Sequence, residues 1–170
     1  FRVSPNLGVN LRQVVSALNR YPYGCIEQTS SGLRGVIAFA DVNGLSQNVK
    51  KKINAGVNRI LAKQQSSGAF GYWSKYSSVY NRYQPYAIDT LQKSLAYAED
   101  RDKVITAISD GLEYLYRTDL NDPLDQMYAY GLLARSGYEV TSRARYVIDR
   151  EIELDELITK VVAENFNIDG

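Results

Sequence analysis

The chain has 170 residues, with 20 Lys and Arg against 19 Asp and Glu, one Cys and no His. It forms no intrachain disulfide, no Ser-His-Asp or Cys-His catalytic pair and no histidine zinc site. A net charge of +1 lacks the basic excess that meets nucleic-acid phosphates, and no apolar run approaches the roughly 18 residues of a membrane span.

The periodicity is helical nearly throughout. Leu11, Val14, Val15 and Leu18 recur at helical spacing after a capping Asn10, and Pro22 ends that segment. A second helix is predicted from Glu27 to Asp41, with Leu33, Val36, Ile37 and Ala40 on one face and a turn at Asn43-Gly44. Ser46 caps a third, striped by Val49, Ile53, Val57, Ile60 and Leu61, with Lys50, Lys51 and Lys52 on its solvated side. Residues 66–84 break the pattern, since Ser67-Gly68-Ala69-Phe70-Gly71-Tyr72-Trp73 combines two glycines with a dense aromatic cluster. Pro85 opens a fourth helix carrying Ile88, Leu91 and Leu95. Val104, Ile105, Ile108, Leu112 and Leu115 stripe a fifth.

Asn121-Asp122-Pro123 caps a sixth helix with Leu124, Tyr128, Leu132 and Leu133 inward, and Gly137 ends it. Thr141 or Ser142 caps a final long helix, with a break expected between Arg150 and Glu153. Val147, Ile148, Leu157, Ile158 and Val161 are its apolar residues, and its acidic run is a solvated face. The expected fold is all-α, about seven helices joined by short turns and packed as antiparallel hairpins. The opening residues, Phe1-Arg2-Val3-Ser4-Pro5, do not read as a secretory signal.

The stretch that carries chemistry is Tyr21-Pro22-Tyr23-Gly24-Cys25-Ile26-Glu27-Gln28-Thr29. Cys25 and Gln28 sit on one face of a first helical turn. A thiol beside a carboxamide can displace ammonia and close an internal thioester between Cys25 Sγ and the side-chain carbonyl of residue 28. Thiolate is a better leaving group than alkoxide or amide, so the product is an activated acyl donor. Free N–H groups and the positive dipole end at a helix start favour both thiolate and oxyanion. Gly24 permits close backbone approach and Pro22 stiffens the turn.

This stretch closely resembles the Cys-x-Glu-Gln thioester signature of the α2-macroglobulin and complement family, in its bacterial form, with an aliphatic residue after the Cys and Tyr-Pro-Tyr-Gly before it. Three further pieces agree in order. Ser67–Trp73 resembles the family's glycine-aromatic-Trp loop. Tyr86-Ala87-Ile88-Asp89 resembles the start of its next helix, and Tyr128–Ala134 a later one. The likeness runs from about residue 5 to residue 150. It implies that residues 1–170 are about half of a thioester-containing α/α toroid of the terpenoid cyclase-like kind. It further implies a broad-spectrum endopeptidase inhibitor, a single-turnover acylating trap and not an enzyme, which captures proteases through their lysine amines. Cys25 and Gln28 would form the thioester, Glu27 would orient the ring or the amine, and Tyr21, Tyr23, Phe70, Tyr72 and Trp73 would shield it from water. The implied partners are target proteases and neighbouring macroglobulin-like β-domains of the same protein. Neither nucleic acid nor membrane insertion by this segment is expected, and no cofactor or metal. The implied location is the periplasm, as a lipoprotein anchored to the inner membrane. Family members with a downstream His pass the acyl group to hydroxyls, so a chain without His points to direct aminolysis.

Plainer readings stand beside these. Cys25 suits a buried structural position, Glu27 favours a helix dipole, and Phe70, Tyr72 and Trp73 suit packing in an elbow between helices. A different class also fits the fold, an α/α-toroid enzyme or helical binding module with a coincidental Cys-x-x-Gln. Its activity would survive loss of Cys25 and depend on an acidic pair in a cleft.

Overall fold

The computed structural model describes residues 24–166, with side chains through residue 159. These residues form six α-helices: α1 (Ile26–Asn43), α2 (Gln47–Leu61), α3 (Gln84–Ser94), α4 (Arg101–Tyr116), α5 (Pro123–Arg135) and α6 (Thr141–Phe166). A single 3-10 turn, Asn81–Tyr83, precedes α3. Among the described residues extended pairing is limited to isolated bridges, Gln64 with Phe70 and Gly71 with Val79. The predicted helix over residues 11–18 lies outside the described residues.

The chain divides into two compact units, Phe1–Thr118 and Asp119–Gly170. In the first, α1 packs on α2 and α3, and α3 packs on α4. Leu33, Val36 and Ile37 of α1, Ile53, Val57 and Ile60 of α2, Ile88 and Leu91 of α3 and Leu112 and Leu115 of α4 are buried. These are the positions that the helical period assigns inward, and burying each such side chain is worth about 1.5–3 kcal/mol. Ile105 departs from that reading and is exposed, because the buried stripe of α4 runs through Val104, Ala107, Ile108 and Gly111.

Helix starts follow the cap rules closely. Ser46 Oγ accepts from the Val49 N–H at 3.3 Å. Asp100 Oδ1 accepts from Lys103 at 3.1 Å. Asp122 Oδ1 accepts from Leu124 and Asp125 at 2.9 and 3.0 Å, with Pro123 in the first turn of α5. Each such cap contributes about 1 kcal/mol.

The loop between α2 and α3 is pinned at many points. Gly68 has φ +90°, and a Cβ there would sit 2.1 Å from the Asp110 carbonyl oxygen, so only glycine fits. Gln64 Nε2 donates to the Gly68 and Ala107 carbonyls at 3.1 and 2.7 Å, tying the loop to α4. Phe70 is fully buried beneath it.

In the second unit α5 packs on α6. Its buried residues are Leu120, Gln126, Ala129, Tyr130, Leu132, Leu133, Val140 and Val147. The stripe of α5 is therefore shifted from the sequence reading: Leu124 is 81% exposed and Tyr128 half-buried, while Gln126 and Ala129 take inward places. Gln126 belongs there because its Oε1 accepts the Leu120 N–H. Helix α6 also corrects two expectations. It runs unbroken past Arg150 and Glu153, a stretch of helix formers with no Gly or Pro, where Arg150 pairs with Glu151 in solvent. Its first N–H is met by Glu139 Oε1, which accepts from Thr141 at 2.8 Å, instead of by a Thr141 or Ser142 side chain. Ile148, Leu157 and Ile158 are exposed. Among the described residues no helix is long and apolar enough to cross a membrane.

Candidate functional site

Cys25 is the N-cap of α1, with extended backbone (φ −61°, ψ 173°). Its sulfur accepts from the Gln28 N–H at 3.4 Å, and Gln28 Oε1 accepts from the Cys25 N–H at 3.3 Å. This is a reciprocal capping box with a thiol in place of the usual hydroxyl. It folds the Gln28 carboxamide back over the turn that holds the sulfur. Gly24 lets the two approach, since a Cβ there would lie 3.3 Å from Gln28 Cβ and 3.5 Å from Gln28 Oε1. Thr29 Oγ1 donates to the Gly24 carbonyl at 3.1 Å and closes the turn.

The two side chains differ in exposure. Cys25 is 2% exposed and is a free thiol, whereas Gln28 and Glu27 are exposed. The sulfur thus faces the protein and the carboxamide faces solvent.

The glycine-aromatic loop forms the wall on the sulfur side. The Ile26 N–H donates to the Tyr72 carbonyl at 2.7 Å, docking the start of α1 on the loop. The Tyr72 phenol pKa is pushed up to about 12, first by its hydrogen bond with Cys25, then by burial and by electrostatic interaction with Cys25, Tyr83 and Glu27. Tyr72 makes edge contacts with Trp73 and Tyr80 at 5.1 and 4.9 Å and stacks on Tyr83 at 5.7 Å. The residues named from sequence therefore separate by place. Tyr72 lies against the sulfur, Trp73 is 56% exposed beside it, and Phe70 is core under the loop. Tyr21 and Tyr23 lie outside the described residues.

Sequence reasoning missed two supports. Gln84 is 1% exposed; its Oε1 accepts the Phe70 N–H at 2.7 Å and its Nε2 donates to the Phe70 carbonyl at 2.9 Å. It acts as a strand partner supplied by one side chain. Lys63 is 8% exposed, and its Nζ donates to the Trp73 carbonyl at 2.5 Å. A signal existed for it: a cation three residues after Ile60 continues the buried stripe of α2.

One turn further along α1, Ser31 and Tyr86 hydroxyls share a hydrogen bond at 3.1 Å, and the Arg34 guanidinium lies 3.9 Å over the Tyr86 ring. Arg34 also donates to Thr90 Oγ1 at 2.7 Å and to Asp89 Oδ2 at 2.5 Å, where Lys93 joins at 2.6 Å. Burial alone would raise the Asp89 carboxyl, but the Lys93 and Arg34 contacts outweigh it and hold the group below its ordinary value. A depressed folded value contributes stability above the unfolded aspartate range, and that stability is lost as pH falls through the folded value. Asp89→Asn should therefore melt below the wild type at about pH 6, with the difference shrinking below the ordinary aspartate value and vanishing only below the depressed folded value. A gap that persists unchanged in acid would show that the ion pairs contribute nothing.

No family model matches the chain. The α2-macroglobulin of Escherichia coli (strain K12) is 30% identical over an alignment of 155 residues, covering 84% of this chain and 9% of that protein. The chain is homologous to bacterial α2-macroglobulins. A crystal structure of native E. coli α2-macroglobulin, from domain MG7 to the C-terminus, superposes with a TM-score of 0.64 at 26% identity. That match covers 84% of this chain and 26% of the other. Trypsin-activated E. coli α2-macroglobulin superposes with a TM-score of 0.60 at 26% identity, over 76% of this chain and 10% of that one. The all-helical architecture corresponds to a helical region of these α2-macroglobulins, and the chain spans only a small part of their length.

Proposed function

We propose that the chain is part of the thioester-containing α/α toroid of a bacterial α2-macroglobulin-like inhibitor, and that Cys25 and Gln28 form an internal thioester that acylates lysine amines of attacking proteases. The observation that carries this reading is the reciprocal cap, with Gln28 N 3.4 Å from Cys25 Sγ and Gln28 Oε1 3.3 Å from Cys25 N. A single helical turn already holds the thiol and the acyl carbon in the same ring of atoms. Ring closure joins Sγ to the Gln28 side-chain carbonyl carbon and releases ammonia. Attack by an amine on that carbon breaks the C–S bond, leaving a thiolate and a new amide.

The exposure pattern supports the same chemistry. An exposed acyl group is open to an incoming amine, and a buried sulfur is kept from competing reactions. Glu27, exposed in the same first turn, supplies negative charge that draws an approaching ammonium. Tyr72 and Trp73 shield the sulfur side of the ring from water, and Tyr21 and Tyr23 are assigned to the same shield by their place in the sequence alone. These 170 residues supply no His, so acyl transfer through this chain's own groups is direct and favours amines over hydroxyls. The trap reacts once and does not turn over. Its partners are target proteases and the macroglobulin-like β-domains of the same protein, and it works in the periplasm, anchored by lipid to the inner membrane. The trypsin-activated form of the E. coli relative supports a protease-triggered reaction.

Intact-mass measurement of the full-length protein tests this. The expected mass is one ammonia below that of the sequence, and methylamine adds one methylamine while exposing one thiol at Cys25. A full sequence mass with Cys25 alkylated freely before any methylamine would remove the chemistry.

A further inference from the structure

Lys63 is an unusual neighbour for a buried sulfur. It is more than nine-tenths buried, yet the only hydrogen-bond partner of its ammonium among the described residues is the Trp73 carbonyl, and no carboxylate pairs with it there. An ammonium carries three donors, so one carbonyl leaves it poorly served for a buried charge. Burial pushes its amine below the ordinary lysine range, and the neighbour that acts the other way is Cys25.

The backbone explains how the two meet. Consecutive carbonyls of one short segment do different jobs: Tyr72 accepts the Ile26 N–H at 2.7 Å, and Trp73 accepts the Lys63 ammonium at 2.5 Å. The segment that docks the start of α1 is therefore also the segment that holds the ammonium. Cys25 lies on this buried side and Gln28 on the exposed side.

We propose that Lys63 is a positioning residue whose buried ammonium stabilises the Cys25 thiolate as it leaves during acyl transfer. The inference rests on the thioester reading. In the step concerned, an amine nitrogen attacks the side-chain carbonyl carbon of residue 28. The C–S bond breaks, its electron pair stays on Sγ, and the surplus proton of the amine passes to solvent. Lys63 neither gains nor loses a proton. It supplies a fixed positive charge where negative charge develops, in a site largely closed to water, where such a charge acts strongly. Lys63 is not the acyl acceptor, because its nitrogen is committed to Trp73 on the sulfur side while the carboxamide faces solvent.

The test compares the full-length wild type with Lys63→Met and Lys63→Arg. Methylamine-triggered release of the Cys25 thiol is followed with a thiol reagent, and the released thiol is then alkylated with iodoacetamide at neutral pH. Lys63→Met should slow both rates by about tenfold, the effect of one well-placed charge, and Lys63→Arg should restore both to within about threefold. Lys63→Met should melt no lower than wild type, since it removes a buried charge and keeps the volume. Three results overturn the proposal. They are unchanged rates in Lys63→Met, faster thiol release in Lys63→Met without amine, which marks a merely structural prop, and a residue 28 to Lys63 isopeptide in the wild type. If the wild type shows no ammonia loss, the thioester reading fails separately. The alkylation rates of the free thiol then still decide whether Lys63 acts on the sulfur.

Discussion

Cys25→Ala in the full-length protein should abolish the proposed covalent capture of trypsin while leaving the helical fold intact. Alanine removes the leaving group altogether, so no thioester forms and no amide-linked protease adduct appears on denaturing electrophoresis. The expected effect is complete loss, because the thioester cannot close without the Cys25 sulfur. The structural cost is small by comparison. The sulfur accepts one N–H, from Gln28 at 3.4 Å, and losing an N-cap acceptor costs about 1 kcal/mol. Gln28→Glu provides the control for the acyl side. A carboxylate keeps the size and the capping oxygen but has no ammonia to lose, so capture should again vanish with the cap preserved. Trypsin adducts formed by Cys25→Ala at wild-type yield would refute the thioester mechanism and favour a non-covalent helical module.

The second large effect is expected at Gln84, far from the thiol in sequence. Gln84→Met keeps the volume but deletes both hydrogen bonds to Phe70, at 2.7 and 2.9 Å. Phe70 is fully buried, so its N–H and carbonyl cannot turn to water. Each orphaned buried group costs about 1–3 kcal/mol, giving about 3 kcal/mol for the pair. The loss falls on the loop that carries Tyr72, whose carbonyl holds the Ile26 N–H. Hydrogen exchange reads this locally in a multidomain protein. Protection of the Phe70 and Ile26 amides should fall by about a hundredfold, the factor that corresponds to 3 kcal/mol. The thioester should also hydrolyse faster without added amine, because its wall has loosened. If Phe70 exchange rises while Ile26 protection and thioester lifetime stay at wild-type values, the loop does not support the site.

What was legible along the chain is what short-range rules govern. Ser46, Asp122 and Pro123 marked helix starts because a cap acts within one turn. The inward stripes of α1 and α2 followed the helical period, since one face of each is buried continuously. The inward face of α5 departs from its hydrophobic pattern because size and hydrogen bonding also select what is buried. Gln126 and Ala129 are inside, one held by a hydrogen bond and the other by its small size, while Leu124 lies in solvent. The break expected in α6 had no Gly or Pro behind it, and exposed charged residues continue a helix without strain.

The same division runs through the site. Sequence by itself determined the pairing of Cys25 with Gln28, because two residues three apart on a helix start must share one turn, whatever surrounds them. It also determined that no histidine relay exists within this chain. Only the tertiary structure decided which side of that pair is buried, which aromatic lies against the sulfur, that Gln84 pins the loop at Phe70, and that Lys63 meets the Trp73 carbonyl. Those contacts join residues tens of positions apart through backbone carbonyls of an irregular loop. No period or spacing records such contacts, because the loop takes its shape from the helices it is pinned to.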